Sequence, residues 1–402
     1  MLAALLICTV QQPVFTDLFD GKTLDAFVKK GGSAEYRVEN GEIVGTTVPN
    51  TPNTFLCTKK DYGDFELTFD VRVHPELNSG VQIRSHSVKG YKGGEVFGYQ
   101  VEIDPTTRAY SGGIYDESRR GWLDDLSDNE EGRKAFKNGE WNKYRVMAQG
   151  DHIVVWVNGV KTADFHDDVD RFGFIGLQVH SVGDRSDKME VRWRNLRIWD
   201  AGIPGKYPPQ GATVLLGNDG DLSKWKKSGS ESEAIGWAWK GEYLEIVPRT
   251  GSIQTRKGYE SCFLHVEFAV DENNLEGQAN GNSGVYLQGS YEVQILNSAG
   301  QKPADNIAGG IYRVKAPDIN MAYPAYEWQT YDIQFTAPKW QDGKKVSNAK
   351  ITAWHNGVMI HRDVEVPGMT GSGQPETPGP KGIFLQDHGN LIRFRNVWIV
   401  LR

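Results

Sequence analysis

The stretch Asn78-Ser79-Gly80-Val81-Gln82-Ile83-Arg84-Ser85 returns 204 residues later as Asn282-Ser283-Gly284-Val285-Tyr286-Leu287-Gln288-Gly289. Each copy is a polar-small-Gly opening followed by alternating apolar and polar side chains. That alternation is the two-residue period of a half-buried β-strand. A phrase repeated at this distance points to an internal duplication, which has to be sought before any local assignment.

Working outward, the halves match in order. "FTDLFDGKTLDAF" from Phe15 answers "TVLLGNDGDLSKW" from Thr213, and "YGDFELTFDVRV" answers "YESCFLHVEFAV". "GYQVEID" answers "SYEVQIL", "GGIYDE" answers "GGIYRV", and "GEWNKYRVMAQG" answers "YEWQTYDIQFTA". "VVWVNGV" answers "TAWHNGV", "FIGLQVHS" answers "IFLQDHG", and "WRNLRIW" answers "FRNVWIV". The closing histidines, His180 and His388, lie 208 residues apart, so the order never breaks and the spacing barely drifts. The Pro- and Gly-rich run 200–212, "DAGIPGKYPPQGA", reads as the hinge. The expected organisation is an export segment 1–14, a first domain 15–200, a linker 201–212 and a second domain 213–402.

Within each half strand follows strand. Phe65, Leu67, Phe69, Val71 and Val73 alternate with polar partners, and Asn158-Gly159 closes a hairpin between apolar runs. Asn-Gly is the strongest short hairpin signal because both central residues must take positive φ. With no amphipathic helix and about 190 residues per half, each half is expected to be a two-sheet antiparallel sandwich of the jelly-roll kind.

The 402 residues suffice for two domains of ordinary size. A net charge of −7 with no basic stripe argues against nucleic acid as a partner. Past the start, no stretch is long and apolar enough for a membrane span. The opening "MLAALLICTVQQPVF" resembles a short export signal with Leu2–Val10 as its apolar region, so a periplasmic or extracellular location is expected; a buried first strand is the other account. "LLIC" puts Ile7 where a lipidation motif wants a small residue, which disfavours lipid attachment at Cys8. Cys57 and Cys262 do not occupy matching repeat positions and are expected as buried free thiols.

Strand periodicity assigns faces. Val101 and Ile103 point one way, and Gln100, Glu102 and Asp104 the other. Gln82 and Arg84 oppose Val81 and Ile83; Gln178 and His180 oppose Leu177 and Val179. In the second half Glu292 and Gln294 oppose Val293 and Ile295, with Gln386 and His388 in the matching places. Each half therefore offers a row of amides, carboxylates and histidine on one sheet surface. The plain account is a solvated face. The pairing of Gln with His on matched strands of both halves favours a shared binding surface. Such groups suit sugar hydroxyls, and Tyr99, Tyr115 and Trp122 could act as ring platforms. A charged insertion follows the first "GGIY" only, "YDESRRGWLDDLSDNEEGRKAFK". It reads either as a lid, with Asp116, Glu117, Arg119 and Arg120 at its root, or as a solvated loop with a short helix near 129–137. No zinc, P-loop, dinucleotide or nucleophile-elbow spacing occurs. A hard cation such as Ca²⁺ could be held by loop carboxylates and carbonyls, although no spacing demands one.

Taken together, "LFDGKTLDAF", "NSGVQIRS", "GYQVEID…GGIYDESRRGW", "GEWNKYRV…VNGV" and "GFIGLQVHS…RWRNLRIW" resemble the 3-keto-disaccharide hydrolase family, and the second-half phrases resemble it equally. The resemblance implies two tandem concanavalin-like jelly-roll β-sandwiches in an exported bacterial protein acting on 3-keto-glycosides. It implies removal of the proton on carbon 2, acidified by the keto group, and departure of the aglycone from carbon 1, with or without later hydration. On that basis Glu102 and His180 are the expected acid/base pair and Arg84 the oxyanion partner. Gln100, Gln178, Asp104 and Asp116 would hold hydroxyls, beside Tyr115, Glu117, Arg119 and Trp122. Glu292, Gln294, Gln386 and His388 would form the second surface, with Arg393 compensating for Gln288 in place of Arg84. The rival class is a non-catalytic, lectin-like glycan-binding protein, or one catalytic half beside one binding half.

Overall fold

A computed structural model describes residues 14–273 and 275–402. The apolar run read as an export segment, including Cys8, lies outside the described residues. The chain divides into two compact units. The first comprises residues up to Arg84, Gly98–Asp167 and Phe174–Gly202; the second comprises Ser85–Phe97, Asp168–Gly173 and Ile203–Arg402.

The first unit is a sandwich of two antiparallel sheets. One runs Val160–His166, His152–Val157, Asn142–Gln149, Asp64–Val73, Glu190–Gly202, Glu42–Thr46, Glu35–Glu39, with Thr16–Asp17 paired to Glu190–Gly202. The other runs Gly121–Asp124, Ile114–Glu117, Phe97–Ile103, Ser79–His86, Phe174–Val179, Thr54–Thr58, Phe27–Gly31. The alternation expected in Asp64–Val73 holds: Phe65, Leu67, Phe69, Val71 and Val73 are all buried. They meet Val81, Ile83, Val101, Ile103, Leu177 and Val179 from the second sheet in one apolar core. Asn158 and Gly159 have φ of 51° and 86° between the paired Val157 and Val160, which is the two-residue turn that matches the strands' own twist.

The second unit repeats this plan with fewer strands. Its larger sheet is built on Ile392–Leu401, Cys262–Val270, Gln329–Thr336, Ala349–His355 and Val358–Val366. Its smaller sheet runs Trp225–Lys227, Ile253–Thr255, Phe384–Leu385, Ser283–Leu287, Tyr291–Ile295. Asn356-Gly357 forms the matching turn, with φ of 49° and 82°.

The two smaller sheets differ at one edge. In the first unit the insertion after "GGIY" folds as a hairpin, Ile114–Glu117 with Gly121–Asp124, that continues the sheet. It is thus a side wall and not a lid lying across the strands. A four-residue helix, Glu130–Arg133, follows, capped by Asn129, whose side chain accepts from the Gly132 N–H at 2.8 Å. The second unit has no hairpin there and instead carries a long irregular connection, 367–383.

Cys57 and Cys262 are buried free thiols, one in each unit, and burial pushes each up to about 12. Among the described residues no helix is long and apolar enough to cross a membrane.

Candidate functional site

The repeated Asn-Ser-Gly has a physical reason at each letter. The Ser79 hydroxyl donates to the Gln178 carbonyl on the neighbouring strand at 2.7 Å, and Ser283 does the same to Gln386 at 2.7 Å. These bonds fasten the strand that carries the phrase to the segment that leads into the histidine. Gly80 and Gly284 have no room for a side chain. A Cβ on Gly80 would overlap the Gln100 side chain, and one on Gly284 would overlap the Glu292 carboxylate. Glycine here lets the polar residue of the next strand lie flat across the sheet. Asn78 then reaches Glu102, donating to Oε1 at 2.6 Å.

On the outer face of the seven-stranded sheet these side chains form a chain of hydrogen bonds. Gln82 donates to Gln100 at 2.8 Å, and Gln100 donates to Glu102 Oε2 at 2.9 Å. Both Glu102 oxygens therefore accept from neutral amides. Burial pushes the Glu102 carboxyl up to about 7. The Asn78 and Gln100 bonds pull the other way, the nearby Asp104 charge adds to the rise, and Arg108 opposes it.

Glu102 opens into a cavity of about 400 Å³ lined by Asn53, Asn78, Gln100, Arg108, Tyr115, Glu117, Trp122 and His180. Tyr115 and Trp122 face each other across the hairpin, ring centres 5.1 Å apart at a steep angle. Asn53 joins two walls: it donates to Glu117 at 3.1 Å, and its oxygen accepts from the Ser181 N–H at 2.9 Å. His180 Nδ1 lies 2.8 Å from the Ser181 carbonyl. A carboxyl titrating near neutrality, an imidazole and a guanidinium thus share one polar, aromatic-walled pocket. Groups of these kinds in one pocket are able to take and to give a proton.

Of the residues expected from strand periodicity and the family resemblance, Gln100, Glu102, Tyr115, Glu117, Trp122 and His180 are brought together here. Arg84 is not. Its backbone turns left-handed (φ 47°), which breaks the strand's alternation, and its buried guanidinium donates to the Gly63 and Gly150 carbonyls at 2.8 and 2.7 Å and to Asp64 at 3.0 Å. Gln288, its repeat mate, has the same φ sign (50°) and donates to the Tyr259 carbonyl at 3.0 Å. Both are anchors of the fold. Asp104 also turns away, accepting from the Thr106 N–H and from Arg108 Nε at 3.0 and 3.1 Å. It positions Arg108, which no sequence pattern singles out. Asp116 faces inward from the hairpin and is held in ion pairs by Arg119 and Arg120, so none of the three lines the cavity. Tyr99 is core, bonded to Asp167. Gln178 is fully buried outside the cavity lining, and neither of its amide atoms meets a partner.

The second unit has its own cavity, about 270 Å³, lined by Gln278, Asn282, Tyr286, Glu292, Gln294, Tyr312, Gly371, Ser372, Gln386 and His388. All four residues expected at this surface, Glu292, Gln294, Gln386 and His388, are present. Arg393 is absent because it belongs to the larger sheet, where it pairs with Glu245 at 3.2 Å. Carboxylate and amide have exchanged places: Glu292 stands where Gln100 does, and Gln294 where Glu102 does. With its nitrogen turned toward the carboxylate, the Gln294 amide donates to Glu292 Oε1 at 2.7 Å, restoring the Gln-to-Glu bond in reverse. Burial pushes Glu292, too, up to about 7. Among the described residues no group of three or more His, Cys, Asp or Glu is placed to hold a metal ion.

Several solved structures are similar to parts of this chain. A protein from Parabacteroides distasonis ATCC 8503 described as a glycosyl hydrolase is 32% identical, over 48% of this chain and 85% of its own, with a TM-score of 0.44. A second protein of that organism and description is 20% identical, over 47% and 94%, with a TM-score of 0.34. The carbohydrate-binding module CBM66 from Bacillus subtilis is 13% identical, over 44% and 96%, with a TM-score of 0.30. No curated protein sequence matches. The family model of the 3-keto-alpha-glucoside-1,2-lyase-like domain matches residues 14–199 and again 211–400. The chain belongs to that family and carries two copies of its domain in tandem.

Proposed function

We propose that the first pocket cleaves 3-keto-glycosides by proton abstraction and elimination, in a protein exported from a bacterial cell. The observation that carries this is Glu102: a carboxyl held by two neutral amides, raised by burial to about 7, at the wall of a polar cavity. A base of that strength is matched to work near neutral pH. Glu102 takes the proton from carbon 2, and the electron pair moves toward the carbon 3 oxygen. Arg108, held by Asp104, stands in the same pocket as a partner for that oxyanion, the role that Arg84 does not fill. As the carbonyl re-forms, the carbon 1–oxygen bond breaks, a carbon 1–carbon 2 double bond forms, and His180 gives the leaving oxygen its proton. Tyr115 and Trp122 offer an aromatic wall to the sugar or its aglycone.

The test is release of a chromogenic aglycone from a 3-keto-glucoside by the full chain. Glu102→Gln and His180→Ala should each lower kcat by about 10²–10⁴ with no loss of melting temperature. Tight binding of the glycoside without release by the wild type would overturn the proposal in favour of a lectin-like protein.

A further inference from the structure

In the second unit the carboxylate sits two residues earlier on its strand than in the first, Glu292 against Glu102. Two residues of strand are about 6.6 Å. The two carboxylates therefore cannot address the same atom of ligands seated alike.

Glu292 is also built into its own surroundings. Tyr286 replaces Gln82 on the neighbouring strand and hydrogen-bonds Glu292, and the Tyr286 hydroxyl in turn accepts from Gln386 Nε2 at 3.2 Å. Burial and the Glu292 charge hold the Tyr286 phenol well above its usual range, so it stays a proton donor to the carboxylate. The connection 367–383 presses on this pair from outside the sheet. Thr370 Oγ1 accepts from the Glu292 N–H at 2.7 Å, the Thr370 N–H donates to the Ser290 carbonyl at 2.9 Å, and the Gln374 N–H to the Gly289 carbonyl at 2.7 Å. At its nearest point stands Gly371 in the left-handed region (φ 54°), where any Cβ would overlap Glu292 Oε2. The smaller cavity lacks the hairpin that carries Trp122, though Tyr312 stands where Tyr115 does, and it is lined by the amides of Asn282, Gln294 and Gln386.

We propose that the second pocket is a separate proton-transfer site for a single keto-sugar ring, in which Glu292, partnered by Tyr286, removes the proton from a carbon beside the carbonyl. This rests on the keto-sugar chemistry proposed for the first pocket. The carbon–hydrogen bond breaks and its proton passes to the Glu292 carboxylate. The electron pair forms the carbon–carbon double bond of an enediolate, leaving the negative charge on the carbonyl oxygen. With no leaving group in place, the proton returns to carbon. In D₂O it returns as deuterium.

The experiment is deuterium exchange into 3-keto-glucose by the full chain, read by proton NMR. Glu102→Gln silences the first pocket and should retain exchange. The double variants Glu102→Gln/Glu292→Gln and Glu102→Gln/Tyr286→Phe should lose it by at least about 10-fold, with no loss of melting temperature. Gly371→Ala in the Glu102→Gln background should lower it too, by displacing the carboxylate without removing it. Exchange undiminished by Glu292→Gln overturns the inference. So does loss of all exchange in Glu102→Gln while the wild type still releases an aglycone, and in that case the first-pocket reading stands. Neither release nor exchange by the wild type overturns both.

Discussion

Asn78 holds Glu102 from the adjacent strand, Nδ2 to Oε1, at 2.6 Å. This bond favours the charged carboxylate and so restrains the rise that burial causes. Aglycone release should climb with pH through about 7 as Glu102 loses its proton. Asn78→Ala should move that limb upward by about one pH unit, with the maximal rate within about twofold of wild type. A pH profile of kcat/KM in which the limb does not move would separate Glu102 from the titrating group.

The two raised carboxyls also set a sign for stability. Glu102 and Glu292 hold their protons to about 7 when folded, against the ordinary glutamate value of 4.5. Their contribution is whole below pH 4.5 and is lost as pH rises through 7, because the unfolded chain gives up its protons first. Glu102→Gln and Glu292→Gln should each melt higher than wild type at about pH 8, by about 2–4 °C, and alike at about pH 4. Equal melting at both pH values would contradict the burial described for these groups.

Arg84 and Arg108 should separate cleanly. Arg84→Met removes three anchors of the first sandwich and should cost about 3–5 kcal/mol of stability, while the folded fraction keeps its rate of release. Arg108→Ala should lower kcat/KM by at least about 10-fold and cost less stability than Arg84→Met, since the Asp104 carboxylate keeps its Thr106 N–H donor. Calorimetry with active-site-normalised kinetics reads both, and the reverse pattern would restore Arg84 to the chemistry.

Gly80→Ala should damage the pocket more than the fold. The new methyl meets the Gln100 side chain, which is flexible, so the amide moves and Glu102 loses one of its two donors. Release should fall about 10-fold or more, with a melting loss of only about 2–4 °C. Unaltered kinetics would show that the Gln82–Gln100–Glu102 chain has no part in catalysis.

Strict alternation makes much of this surface legible in the chain itself. Gln100 with Glu102, and Glu292 with Gln294, face outward because the two-residue period holds along their strands. It fails for Arg84, where one left-handed residue ends the alternation, and nothing in "VQIRS" marks that turn. Arg108 escapes a periodicity argument because it reaches the pocket from a turn beyond the strand, through Asp104. Asn53 escapes it because it comes from a loop far away in sequence. The hairpin 114–124 resists reading as a lid or a wall because a charged, Gly-containing run looks the same whether it covers a sheet or lengthens it. Asn78 stands in the repeated phrase itself, but its partner across the strands is a fact of register, which the chain does not spell out.

Cys57 and Cys262 have a practical consequence. Each is buried, Cys262 in the apolar core of the second sandwich, and a thiol held near 12 is almost never a thiolate in ordinary buffers. These two thiols should therefore need neither reductant nor oxidase in folding or storage in air, and should be indifferent to the redox poise of whichever compartment the chain enters.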